Sequence, residues 1–551
     1  MLRQGAAFLA ALAMGTAPGP ALAQTATHQV FSFNDLGMHC YDSSFAEFAI
    51  LPPYNVVRGQ VILRGQHPVI LDNTQVNLTY RAAADPTGSI NTTSRGKTNF
   101  WRYVQQLFGV SLPIDVGLKG ARMPGANNQP QPFEAFDAQK GWFAAEGIPI
   151  TAKDNNKLRN PLSLMRVEAR DAATDVLLSS LDTVVPASDE MNCSNCHFTG
   201  RDAADAAIAQ KYNITVPWSS SPVKAVMTKE NIMILHDAVN QTNLSANRPV
   251  LCASCHYSAA LDLEGQGPQG AQVGKPFLSH AIHSHHGMTV NHTLPDPDNP
   301  AIVSGNTSNA CYQCHPGKNT KCLRGAMATA GLNCQNCHGG MLAVGGVFHL
   351  KTTGQPRRPW IDLPKCGSCH TGDALNHQGV SLILRLAYQR KDPAATPRNA
   401  TNKRFAENDN TLYRFSLGHH GVACESCHGS PHAEWPTRPG TNDNLTAEQI
   451  QGHTGPIIEC TVCHGDNLPR TMGGPHGLHN VDDRDWNQFH MFFFFQDNNN
   501  CKTCHGANLE GTVLSRAAAD RNLIDYNHNP KFVPKGTIIS CTLCHRDPRT
   551  F

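Results

Sequence analysis

The sequence predicts two unlike parts: a β-rich module over residues 24–190, then a mostly irregular, short-helix region over 191–551 that is organised around groups packed inside it. Three observations lead there. Runs with partial two-residue alternation, set between Gly, Pro, Asn and Asp turns, fall in the first part. A Cys-x-x-Cys-His pattern recurs nine times, always in the second part, and accounts for 18 of the 20 cysteines. The second part has only about 40 residues for each repeat of that pattern, too few to wrap a conventional core around each one.

The elements follow in order. MLRQGAAFLAALAMGTAPGPALAQ has an early arginine, an apolar run and the small-residue site Ala21-Leu22-Ala23, and residues 1–23 therefore read as a secretory signal peptide outside the fold. No cysteine stands near that site, which disfavours a lipid anchor, and an exported chain starting near Gln24 is expected. Strands are predicted over Asn55–Leu63, Gln75–Tyr80, Leu162–Ala169 and Asp175–Leu178. In the second part, a helix is predicted from Thr228, as N-cap, to Gln241, with Ile232, Leu235, His236 and Val239 along one side. The first cysteines of successive motifs lie 59, 59, 23, 32, 58, 36, 41 and 40 residues apart, which is not a fixed structural repeat. No segment approaches the roughly 20 apolar residues of a membrane helix. The apolar knot Met491–Phe495 is far too short to span, and reads as packing against the interior. A net charge of +2 makes no electrostatic case for nucleic acid or another polyanion.

The nine motifs are Cys193/Cys196/His197, Cys252/Cys255/His256, Cys311/Cys314/His315, Cys334/Cys337/His338, Cys366/Cys369/His370, Cys424/Cys427/His428, Cys460/Cys463/His464, Cys501/Cys504/His505 and Cys541/Cys544/His545. This is the form of a c-type haem attachment site, in which two thiols add to the haem vinyl groups and the adjacent histidine becomes an axial ligand to iron. Zinc sites and thiol redox pairs also use Cys-x-x-Cys, but neither requires a histidine directly after the second cysteine every time. The second part is thus expected to be a multihaem c-type cytochrome domain with nine covalent haems, whose porphyrins supply much of the buried apolar surface. Their propionates would bring the oxidised protein to a net charge of about −7. Haem attachment outside the bacterial cytoplasm agrees with the signal peptide.

A second axial ligand decides whether haem iron only transfers electrons or also binds substrate. Nineteen further histidines are present, against 13 methionines that do not track the motifs, so bis-histidine ligation is favoured. The distal candidates are His236; His280, His283, His285 and His286; His419 and His420; His432; His453; His476 and His479; His490; and His528. Only about nine can serve. His28, His67 and His349 are weaker candidates, and His39, His292 and His377 are evenly balanced. In GHHGVACESCHGSPH, Cys424, Cys427 and His428 are expected to hold one haem, with His419, His420 and His432 serving its neighbours. The two leftover cysteines, Cys40 and Cys322, are expected to form a disulfide pinning the module to the haem region. The competing reading makes Cys40 or His39 an unusual haem ligand.

CYQCHPGKNTKCLRGAM, CESCHGSPHAEWP, GHTGPIIECTVCHG, GGPHGLH and CHGANLEGTVLS, with NDLGMHC as an outlying match, carry a resemblance to a known family. The chain resembles the large multihaem c-type cytochromes of bacteria that respire metals or exchange electrons with extracellular acceptors. The resemblance implies electron transfer through closely packed bis-His haems, in the periplasm or outside the cell, towards other redox proteins or an extracellular acceptor. A homo-oligomer or filament is compatible with it. The rival expectation is a multihaem oxidoreductase of the nitrite, hydroxylamine or tetrathionate type with one open-site haem. A motif with lysine in place of the proximal histidine, which would favour that rival, does not occur.

Overall fold

The computed structural model describes residues 27–289, 311–370 and 403–550, apart from 318, 330, 352, 359, 433–443, 466–467, 469–470 and 482–483. The signal peptide, His292 and His377 lie outside the described residues.

Two five-stranded sheets build the first part. One runs β1 (His28–Asn34), β4 (Asn55–Leu63), β9 (Trp142–Ile148), β8 (Ala135–Asp137), with β5 (Val69–Leu71) also on β4; the other runs β2 (His39–Cys40), β11 (Leu177–Ser188), β10 (Leu162–Asp171), β6 (Val76–Ala83), β7 (Gln131–Pro132). A short bridge between β3 (Phe48–Ala49) and β12 (Val250–Leu251) continues the backbone pairing into the second part. β4 spans the predicted strand, β6 and β10 run past the C-terminal ends of theirs, and β11 shares only Leu177 and Leu178 with the fourth, because Asp175, with φ 57°, and Val176 belong to the turn before it. On β6, Val76, Leu78 and Tyr80 are buried while Asn77 is exposed, the period-2 pattern of a sheet with one covered face. These side chains meet Val30, Val57, Phe143, Met165 and Val185 in a core between the sheets.

β4 departs from that pattern, because all of its residues except Leu63 are buried. Its other face is covered by the second part. Gln60 accepts from Ala423 N (2.8 Å) and Ser426 Oγ (3.0 Å) and donates to the Gly421 carbonyl (3.0 Å). Arg58 pairs with Asp35 at 2.6 Å, donates to the Arg414 carbonyl at 2.7 Å, and lies between the rings of Trp142 and Phe415. Farther along the interface, Gly65 N bonds Cys463 O (3.0 Å), and Glu190 accepts from Asn319 N (3.0 Å) and Thr320 N (2.8 Å). The β-module therefore grips the backbone beside several of the motifs.

Beyond Met191 the described chain forms short helices and 3-10 turns, as expected for the second part, with a small hairpin near its C-terminal end. The predicted helix starts a turn earlier, at Lys224, and ends at Asn240. Thr228 is not its cap; it sits buried inside, its hydroxyl donating to Lys224 O (2.8 Å). Lys229 on the same helix reaches Asp42 of the module, a contact considered below. The knot at Met491–Phe495 is only partly interior: Phe493 packs on Trp486, whereas Met491, Phe492 and Phe495 are exposed. Among the described residues, no helix is long and apolar enough to cross a membrane.

Candidate cofactor cleft and its histidine pairs

Each motif folds into a single tight turn. In six of them the histidine N–H bonds the carbonyl of the motif's first cysteine at 2.8–3.2 Å, which brings both cysteines and the histidine to one face. The first six motifs, cysteines and histidines alike, line one continuous cleft of about 4180 Å³. That is roughly 700 Å³ per motif, inside the 300–1,000 Å³ range of cofactor sites. Ile232, Leu235 and Val239 turn their apolar side chains into this cleft, and Val239 is 40% exposed, so the surface suits an apolar occupant. Neighbouring motifs approach one another. The Cys334 thiol bonds that of Cys311, Cys193 and Cys196 help raise the Cys314 thiol, and Cys427 helps raise Cys463, each on top of burial.

Seven motif histidines face a histidine from elsewhere in the chain. The ring centres are 6.3 Å apart for His197–His286, 6.4 Å for His256–His236, 5.9 Å for His315–His283 and 6.1 Å for His338–His432. They are 5.9 Å apart for His428–His476, 6.0 Å for His464–His419 and 5.9 Å for His545–His490. With metal–nitrogen bonds of about 2.0–2.1 Å and roughly 1.1 Å from nitrogen to ring centre, two imidazoles on opposite sides of one metal ion have centres about 6.2–6.4 Å apart. An eighth motif histidine, His505, lies close enough to His479 to help lower its pKa. His370 lies near His428.

The ring nitrogens are arranged for ligation. A histidine that binds metal through Nε2 commonly donates its Nδ1–H to an oxygen, which fixes tautomer and orientation. Here Nδ1 of His256, His505 and His545 faces Pro276 O (2.9 Å), Ile539 O (3.0 Å) and Arg546 O (2.6 Å). Among the partners, Nδ1 of His283, His286, His476 and His490 faces Ser279 O (2.8 Å), Ile282 O (2.7 Å), Arg404 O (2.6 Å) and Trp486 O (3.1 Å). Burial holds the rings neutral, lowering His197, His283 and His428 to about 4 and His338 and His479 to about 3. The cleft, the motif turns and the facing imidazoles fit haem. Among the described residues, no three His, Cys, Asp or Glu side chains converge as they would on a bare ion.

One helix, Leu278–Thr289, contributes His283 to the third motif and His286 to the first. It packs closely on the chain at Gly345, where a Cβ would sit 2.5 Å from Ser284 N. Of the three histidines expected to serve neighbours of Cys424–His428, His419 faces the histidine of the seventh motif and His432 that of the fourth, while His420 packs on His419.

Other candidates are not brought to a motif. His453 is held by Glu459 (2.7 Å) and the Thr454 carbonyl (3.0 Å), using both ring nitrogens. His280 bonds the Arg357 carbonyl and stacks on Phe277. His528 is exposed at a turn with φ 63°. His420 sits against His419; His285 is the exception, packed on His286, lining the cleft and near enough to His197 to help lower it. His67 and His349 are exposed, and His28 contacts Thr27. His39 is fully buried in the module, its Nε2 on the Pro52 carbonyl (3.0 Å) and its ring on Tyr54, and burial lowers it to about 3. Cys40 and Cys322 are separate thiols here, near enough that Cys40 adds to the rise that burial gives Cys322. Compared with known protein families, characterised proteins and solved structures, the chain matches none.

Proposed function

We propose that this chain is an exported multihaem c-type cytochrome that carries electrons along closely spaced haems. The pairing of seven motif histidines with histidines from other segments, with ring centres 5.9–6.4 Å apart, carries the reading. Haem iron supplies reversible one-electron exchange between its ferric and ferrous states. The motif cysteines would bind it covalently, the motif histidines and their partners would ligate its iron, and the backbone carbonyls at Nδ1 orient those rings. Sites filled in this way pass electrons rather than bind substrate, which favours a conduit over a multihaem oxidoreductase. The β-module acts as a brace that keeps neighbouring motifs at fixed spacing. In this reading the partners are other redox proteins or an extracellular electron acceptor, and the protein works in the periplasm or at the cell exterior.

Intact-mass measurement on protein matured in a host competent for c-type attachment tests the proposal. Nine haem additions to the chain cleaved near Gln24 are expected. A matured chain that carries zinc or no covalent group would overturn it.

A further inference from the structure

The facing imidazoles differ in how they are turned. His236–His256 and His197–His286 are crossed, at 82° and 75°, whereas His283–His315, His338–His432 and His490–His545 are close to parallel, at 16°, 21° and 27°. Rotation about a metal–nitrogen bond is soft, so a hydrogen bond at Nδ1 decides where the ring rests. For His283, His286, His476 and His490 the acceptor is a backbone carbonyl. His236 is different.

Its Nδ1 lies 2.9 Å from Thr242 Oγ1. The Thr242 hydroxyl donates to Asp237 Oδ1 at 2.7 Å. Asp237 is itself fixed, accepting from Leu244 N (2.7 Å), Ser245 N (2.9 Å) and Ser245 Oγ (2.7 Å). With its only proton committed to Asp237, Thr242 Oγ1 can only accept from His236. This sets the Nδ1–H tautomer and leaves Nε2 unprotonated, the state of a ligating nitrogen. Helix Lys224–Asn240 is capped by Gln241 in the left-handed conformation (φ 54°), and that reversal brings Thr242 back beside His236.

We propose that Thr242, backed by Asp237, is a positioning residue that sets the rotation of His236 and thereby gives the second motif crossed axial imidazoles. The inference rests on the haem reading above. Crossed imidazoles leave the two dπ orbitals that hold the unpaired electron of low-spin ferric iron nearly degenerate. Such iron gives a highly anisotropic electron paramagnetic resonance signal dominated by one low-field feature. Parallel imidazoles separate those orbitals and give a three-line rhombic signal.

The experiment compares the oxidised, fully haem-loaded protein with its Thr242→Val and Thr242→Ser variants by low-temperature electron paramagnetic resonance. Thr242→Val should convert the second motif's share of the highly anisotropic intensity into rhombic intensity, while the crossed His197–His286 pair keeps its own. Thr242→Ser keeps the hydroxyl and should retain the wild-type spectrum. An unchanged Thr242→Val spectrum overturns the proposal. So does a Thr242→Ser spectrum that matches Thr242→Val. New high-spin iron in Thr242→Val also overturns it, because Thr242 would then retain the histidine rather than turn it. A wild-type protein without covalent haem overturns the underlying haem reading, and mass measurement shows this before any variant is compared.

Discussion

Replacing Lys229 by methionine tests whether the β-module is a brace. Lys229 stands on the helix that carries His236, yet its ammonium is buried in the module, 2.5 Å from Asp42 Oδ1, 2.6 Å from Ser44 O and 2.8 Å from Phe48 O. The side chains of Lys229 and Asp42 are 7% and 0% exposed, so neither charge is screened by water. Methionine keeps most of the volume and removes the cation. Asp42 would keep only the backbone donors Ile50 N (2.7 Å) and Leu51 N (3.0 Å), a buried carboxylate without its counter-charge. Breaking one side of such a pair costs about 3–5 kcal/mol. For a unit of about 160 residues this corresponds to a fall in melting temperature of roughly 6–20 °C. Adding Asp42→Asn removes the stranded charge, so the double variant should recover about 1–3 kcal/mol of the loss. Thermal melts of the holoprotein followed by circular dichroism read the stability, and hydrogen exchange over 224–240 reads the helix. A single variant within about 1 kcal/mol of wild type, or a double variant no more stable than the single, refutes the clamp.

The remaining predictions concern ligation, acid stability and the leftover thiols. His432→Ala should leave haem attachment intact while turning the fourth motif's iron high-spin or water-bound and raising its potential, whereas His453→Ala should leave every iron low-spin, because His453 faces Glu459. Redox titration with resonance Raman spectroscopy checks both. Burial alone would raise Glu459, but His453 and Arg521 outweigh it and hold the carboxyl at about 2. A carboxylate lowered on folding stabilises fully above its ordinary value of 4.5 and loses that contribution as pH falls towards 2, and Glu459→Gln should flatten this part of the stability profile. Non-reducing peptide mapping of periplasmic protein should recover Cys40 and Cys322 in one cross-linked peptide, and recovery of both as free thiols excludes the bond.

The parts legible in the sequence were those whose physics is local. The strand around Val57 could be read because pleated geometry repeats every two residues. The motif turns could be read because both thiols and the histidine must come from one short segment. The histidine partners could not be read in this way. His286 and His197 belong to segments that only tertiary packing brings together, and histidine density alone misleads: His453 and His280 stand in rich stretches yet satisfy a carboxylate and a carbonyl. Thr228 looked like a cap because it precedes an apolar stripe, but the helix begins at Lys224 and its hydroxyl turns back into the preceding turn. Lys229 and Thr242 carry no sign in sequence that their partners are a buried aspartate and a histidine ring.

The crossing of ligands between segments also sets a timetable for the growing chain. His236, His283, His419, His479 and His490 precede the motifs they face, so those sites have both histidines as soon as the motif emerges. The first, fourth and sixth motifs must wait for His286, His432 and His476, which are made later. Until then each of those irons would hold a single protein ligand, open to any small molecule in the compartment where it is loaded. Truncation has a matching consequence: a chain stopped before His432 would retain the cysteines of its first six motifs and the His197–His286 pair, but would leave His338 of the fourth motif and His428 of the sixth without their partners. The vulnerable stage of this protein is thus its half-made state, and the segment that ends it lies close to a hundred residues downstream of the motif it completes.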